Sequence, residues 1–164
     1  MTATPTYVPV PRRLDFDSLV PPFSRAVTAL DDASTAELDR VGIPAGLREI
    51  IRLRASQLNG CAYCVDLHST AARESGETEQ RLHAVAIWRD SPFFTAAERV
   101  ALELTEAITC LADTHVPGEV VSGALAEFGE EELAAIIGLI VTINVWNAVG
   151  VTTRCWTPRQ RALG

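Results

Sequence analysis

The sequence predicts an all-α protein built as one domain. Three observations predict it. Apolar residues recur at helical spacing, as at Leu47, Ile51, Ala55 and Leu58. Helix-opening and helix-closing signals follow one another at short intervals along the chain. No stretch reads persuasively as a strand; even Val120-Val121 lies inside a helical pattern. With 164 residues, 48% of them hydrophobic, the chain is long enough for a real core and too apolar for disorder.

The elements follow in order. Residues 1–20 read as an extended N-terminal arm, because Pro5, Pro9, Pro11, Pro21 and Pro22 oppose an early helix. The helical domain is expected over 21–155 and a C-terminal tail over 156–164. A first helix is expected from Pro22 to about Leu30, with proline at its start. Ser34-Thr35-Ala36-Glu37 has the capping-box pattern and predicts a separate short helix ending near Gly42. The next helix runs from Pro44 to Leu58 and stops at Asn59-Gly60. A helix carrying two cysteines follows, from about Gly60 to Glu74, and Gly76 ends it. Thr78 to Trp88 forms another, broken by Asp90-Ser91-Pro92. Thr95-Ala96-Ala97-Glu98 is a second capping box, opening a helix to about Leu111. Pro117 opens a helix closed by Phe128-Gly129. The last runs from Glu130 to about Val151, with three acids in its first turn where the helix dipole favours them.

Composition narrows the function. The net charge of -7 argues against nucleic acid as the main partner. The chain contains no lysine, which excludes Schiff-base chemistry. The Pro-rich N-terminus lacks the apolar segment of a signal peptide. Leu133 to Val151 is the most apolar stretch, but Thr142, Asn144 and Asn147 make it a buried helix rather than a membrane span. Four cysteines without a secretory signal place the protein in a reducing cytoplasm, where a CxxC is redox or metal chemistry more often than a staple.

The chemistry concentrates in Cys61, Cys64 and His68. Residues at i, i+3 and i+4 share one helix face, so these side chains fall on a stripe about 60° wide at about 100° per residue. A helix N-terminus offers partial positive charge and free N–H groups, which favour a thiolate. His68 is placed to take the Cys64 proton, and the two sulfurs at this spacing can close a disulfide. If the chain folds back at Asn59-Gly60, Glu49 lies about 16 Å from the turn and His68 about 12 Å, nearly level across the hairpin. Cys64 would lie only about 6 Å from the turn, so Glu49 reaches a thiol through His68 or water. That is the orienter–base–nucleophile order of a triad.

Glu, eleven residues, then Cys-x-x-Cys-x-x-x-His, with LRASQLNGCAYC, TAAERVALELTEAIT and TINVWN around it, resembles the AhpD-like alkylhydroperoxidases. These lie within the wider carboxymuconolactone decarboxylase superfamily. The resemblance spans roughly residues 11–150. It implies an AhpD-like helical fold with the CxxC at the N-terminal end of a central helix, and subunits that assemble as trimers or hexamers. It implies peroxide reduction: Cys64 attacks the peroxide, Cys61 resolves the sulfenic acid to a redox-active disulfide, and His68 and Glu49 relay the proton. The partners it implies are a hydroperoxide and a lipoyl- or thioredoxin-like dithiol protein, with no other cofactor and no metal. Two positions depart from the family pattern. Tyr63 stands where the best-studied branch has a second histidine, and Ala148 stands where an arginine commonly follows the late motif. Tyr63 is expected to line the thiol pocket or to pack.

Other readings remain beside this one. A zinc site would need a fourth ligand, from His83, His115 or Glu49. The cysteines alone would serve as small buried hydrophobes. A non-enzymatic dithiol sensor and, less favoured, a lactone decarboxylase are the rival functions. Cys110, Cys155, Trp88, Trp146 and Asn144 read as packing residues.

Overall fold

Asn59 and Gly60 close one helix and turn the chain into the next, and the molecule is arranged around that turn. The structure is a computed structural model that describes residues 8–158. It is all-helical, with no strand among the described residues. In order come α1 (Phe16–Leu19), α2 (Pro21–Val41), α3 (Ala45–Asn59), α4 (Ala62–Glu74) and α5 (Glu79–Ala84). A 3₁₀ segment (Val85–Asp90) precedes α6 (Ala96–Thr109), α7 (Leu111–Thr114) and α8 (Gly118–Thr153).

Helix α3 is the central element. It packs against α4, α6 and α8, and Ile50, Ile51 and Ala55 are wholly buried. Each of the two isoleucines contributes about 1.5–3 kcal/mol when removed from water. Gly60 takes the left-handed conformation at φ 71°, which glycine adopts without a Cβ penalty, and α3 ends there. The N–H of Cys61 then bonds back to the carbonyl of Ser56 at 3.0 Å. Helix α8 breaks at Gly129 (φ 73°, ψ 178°), where the sequence places the end of one helix and the start of another. By length and composition alone α8 could cross a membrane. Here its Leu133, Ile136, Leu139, Ile140 and Ile143 side chains are buried in the protein.

A buried amide network fixes α8 against α3. Asn59 donates to the side-chain oxygens of Asn144 (2.8 Å) and Asn147 (3.0 Å), and Asn147 donates to Ser56 (3.1 Å). Buried amides that lack partners are costly, so this network specifies one register of the two helices.

Four local expectations are corrected. Pro22–Leu30 and the Ser34 capping box do not mark two helices, because α2 runs unbroken through both. Val27, Ser34 and Leu38 lie on its one buried face, so packing overrides the local cap signal. Ser34 caps nothing, and its buried hydroxyl has no hydrogen-bond partner. The extended arm gives way to α1 within residues 1–20, as Phe16 packs edge-on against Phe23 and Ser24 bonds Asp17. The part of the arm in residues 1–7, and residues 159–164 of the tail, lie outside the described residues. The helix expected over Thr78–Trp88 tightens to 3₁₀ after Ala84, with Ile87 off helical geometry (φ -125°, ψ 32°), and the Trp88 indole reaches Glu106. The Thr95 capping box forms in full, but its helix ends at Thr109 rather than Leu111, and α7 is separate.

Candidate active site

Cys61 is the N-cap of α4 rather than a residue within it, and its Sγ accepts the backbone N–H of Cys64 at 3.3 Å. Cys64 sits one turn inside. The two are joined as a disulfide with Cα atoms 5.3 Å apart. Both are buried, at 2% and 3% exposure, so any reactant must come to them through a cavity.

His68 follows one turn later on α4. Its Nδ1 lies 2.9 Å from Oε2 of Glu49, across the α3–α4 hairpin. Oε1 of Glu49 accepts from Arg52 at 2.6 Å, and Arg52 in turn stands 3.7 Å from Asp31 of α2. An ionised carboxylate only accepts, so it holds the proton of a neutral His68 on Nδ1 and leaves Nε2 as the lone-pair nitrogen. Burial of Glu49 works against its charge. The hydrogen bond and charge of His68, with those of Arg52, outweigh that and hold its pKa below the ordinary carboxylate value.

Cys64 and His68 both line a cavity of about 390 Å³, along with Tyr63, Leu67, Ile143 and Trp146. Cys61 does not line it. Trp156 closes one side. Its ring lies 5.9 Å from Tyr63 and 5.4 Å from Trp146, and its Nε1 donates to Asp17 at 2.8 Å. Ser24 donates to the other oxygen of Asp17 at 2.8 Å. Segments from early and late in the described residues thus meet at the cavity. The backbone N–H groups of Arg13 and Leu14 also bond the carbonyl of Thr153, at 2.9 and 3.0 Å.

Cys61, Cys64, His68 and Glu49 therefore come together as the spacing predicts, and Tyr63 stands in the cavity wall. Cys110 and Cys155 are free and lie elsewhere. His83 is exposed and 3.8 Å from Glu79, and His115 ends α7. Among the described residues no group of three or more metal-ligating side chains is disposed to hold an ion. Sequence reasoning missed Arg52, Asp31, Asp17 and Trp156. Arg52 was within reach, since it lies three residues from Glu49 on one helix. Trp156 and Asp17 carry no local signal, because their pairing spans most of the chain.

Fold and site together define an all-α protein with a buried CxxC beside a carboxylate–imidazole pair. The chain belongs to the carboxymuconolactone decarboxylase family, whose sequence profile matches residues 21–107. It is 39% identical over 104 residues to the uncharacterized protein YdfG of Bacillus subtilis, covering 63% of this chain and 71% of that one. A solved structure from Agrobacterium tumefaciens, ATU0492, superposes with a TM-score of 0.85 at 33% identity, over 92% of this chain and all of that one. That protein is described as one of unknown function and a candidate AhpD-type antioxidant defence protein. The debrominase Bmp8 shares the fold at a TM-score of 0.64 and 22% identity, over 79% of this chain and 70% of its own.

Proposed function

We propose that the protein is a thiol-dependent peroxidase that reduces hydroperoxides through a Cys64/Cys61 dithiol–disulfide cycle. One observation carries this reading: Cys64 and His68 open into the same cavity while Glu49 holds His68 from behind. In the reduced protein Cys64 attacks the distal oxygen of the hydroperoxide as a thiolate, and the O–O bond breaks. The alkoxide leaves with a proton from His68, so the products are an alcohol and a Cys64 sulfenic acid. The Cys61 thiol, one turn away at the N-cap, attacks that sulfur, and the hydroxyl leaves as water. The disulfide results, and two electrons from an external dithiol restore the pair.

Glu49 fixes the imidazole tautomer and orientation, the role of the orienting acid in a triad. Tyr63 stands in the cavity wall beside Cys64, where other family members place a second histidine. The relay therefore rests on His68 and Glu49. The setting is a reducing cytoplasm, and the working form is a homo-oligomer, trimer or hexamer. Exposed apolar side chains such as Leu30 and Val141, on either side of a surface cavity between α2 and α8, support self-association.

The test is direct. Reduced protein mixed with hydrogen peroxide or cumene hydroperoxide should lose two thiols per peroxide consumed, and Cys64→Ser should abolish the reaction. Full peroxide-dependent thiol consumption by that variant would overturn the proposal. A second reading, a dithiol sensor, is favoured by Cys61 and Trp156 lining one cavity. Slow peroxide turnover with a change of oligomeric state on oxidation would select it. Lactone decarboxylation would leave the disulfide without a task.

A further inference from the structure

The two sulfurs open to different places. Cys64 lines the cavity described above, with His68. Cys61 does not; it lines a second cavity of about 330 Å³ between the N-terminal arm and the end of α8, which Cys64 does not reach. Tyr63 and Trp156 line both and form the partition. The partition is tight at Gly150. A Cβ built there would stand 3.1 Å from the Cys61 Sγ and 3.4 Å from the Trp156 ring, so the missing side chain is what lets α8 approach both.

The cavities also differ in charge. The Cys64 cavity carries Arg25 and Arg52 against Asp17 and Asp31. The Cys61 cavity carries Arg13 and Arg154, and no acidic residue among the described ones lines it. In a chain of net charge -7 that is a local reversal of sign. Among the described residues no hydrogen bond or ion pair engages the Arg154 side chain, and the Arg13 guanidinium bonds only backbone carbonyls, those of Val151 and Thr152, with no acidic partner. These residues lie outside the stretch 21–107 that matches the family profile.

We propose that the disulfide is served from two sides: peroxide meets Cys64 in the first cavity, and a small thiol bearing a carboxylate reduces the disulfide by attacking Cys61 from the second. This rests on the dithiol cycle proposed above. The incoming thiolate forms a bond to the Cys61 Sγ and breaks the Cys61–Cys64 bond. Cys64 departs as a thiolate beside His68, already on the peroxide side. A second thiolate, the other arm of the same dithiol or a second thiol molecule, attacks the external sulfur of the mixed disulfide, releasing the external disulfide and the Cys61 thiolate. In sum, one hydroperoxide and two thiols give an alcohol, water and one external disulfide. Cysteines only 2% and 3% exposed leave no room for the flat face of a folded protein, so the group that reaches the disulfide is small. Thiol–disulfide exchange depends on which sulfur is attacked and on access to it, and here access differs between the two.

The experiment needs no peroxide, so its outcome is separate from that of the peroxidase reading. Oxidised protein is exposed to 3-mercaptopropionate, quenched in acid, alkylated and mapped by mass spectrometry. The adduct is expected on Cys61 with Cys64 alkylated; an adduct on Cys64 overturns the proposal. Reduction rates are then compared for 3-mercaptopropionate, 2-mercaptoethanol and cysteamine in the parent protein and in Arg154→Gln, alone and with Arg13→Gln. Taking each variant-to-parent ratio for one thiol cancels that thiol's own reactivity. Loss of the local positive field should slow the anionic thiol about five-fold or more, leave the neutral one within about two-fold and speed the cationic one. Equal effects on all three thiols, or no effect on any, overturn the charge assignment. If the double variant does not fold, Arg154→Gln alone decides.

Discussion

Glu49 and Glu106 are two carboxylates built alike and used differently. Both lie on packed helices, both are largely shielded from water, and both are held below the ordinary carboxylate pKa against the opposing pull of burial. Arginines two residues apart on α3 serve them separately: Arg52 bonds Glu49 at 2.6 Å, and Arg54 bonds Glu106 at 2.6 Å. The difference lies in the remaining partners. Glu106 takes Arg89 and the Trp88 indole, at 2.8 Å, which are groups that keep their protons at neutral pH. Glu49 takes His68, whose ring nitrogens can each donate or accept and which faces a cavity with Cys64. A buried carboxylate with fixed donors holds a fold together. The same carboxylate with a titratable partner at a cavity wall is positioned for chemistry.

This contrast can be broken in order of effect. Glu106→Ala strands Arg54 and Arg89 and leaves the Trp88 N–H unpaired. It should cost about 3 kcal/mol in urea unfolding, with turnover per folded molecule unchanged. A large activity loss at full stability would erase the distinction. Glu49→Gln should do the reverse, lowering peroxide turnover about 10- to 100-fold while unfolding changes by only about 1 kcal/mol. The two sites share no partner, so the stability effects should add in the double variant.

Trp88→Phe keeps the ring packing beneath Arg89 and Arg99 and removes the donor to Glu106. About 1 kcal/mol should be lost, with peroxide kinetics untouched. The smallest effect is the pH dependence the two carboxylates share. Each has a folded-state pKa below its ordinary value of 4.5, so its stabilisation is fully present above that value and is lost as pH falls through the lower folded value. Acid unfolding below pH 4.5 should therefore steepen in the parent relative to Glu106→Gln. A parent curve no steeper than the variant's would show that Glu106 carries no such linkage.

Much of this arrangement was legible along the chain, for local reasons. The stop at Asn59-Gly60, the Thr95 capping box and the break at Gly129 each depend on a few neighbouring residues. The level placement of Glu49 and His68 needed only the rise per residue and one reversal. The failures were also physical. Ser34 looked like a cap, but it lies on the buried face of a continuous α2, and the burial of Val27 and Leu38 outweighs a local hydrogen bond. Trp88 looked like the last residue of an α-helix, but its reach to Glu106 lies in a tightened 3₁₀ turn.

The sequence by itself determined that two thiols, an imidazole and a carboxylate share one hairpin, because helical periodicity converts spacing into direction within a single turn of chain. Only the tertiary structure decided that Cys64 and Cys61 open on different cavities, and that Asp17 and Trp156 meet at the first of them. The Asp17–Trp156 pair joins residues 139 positions apart. No periodicity relates such residues; the packing of α2 and α3 on α8, with α1 against α2, does.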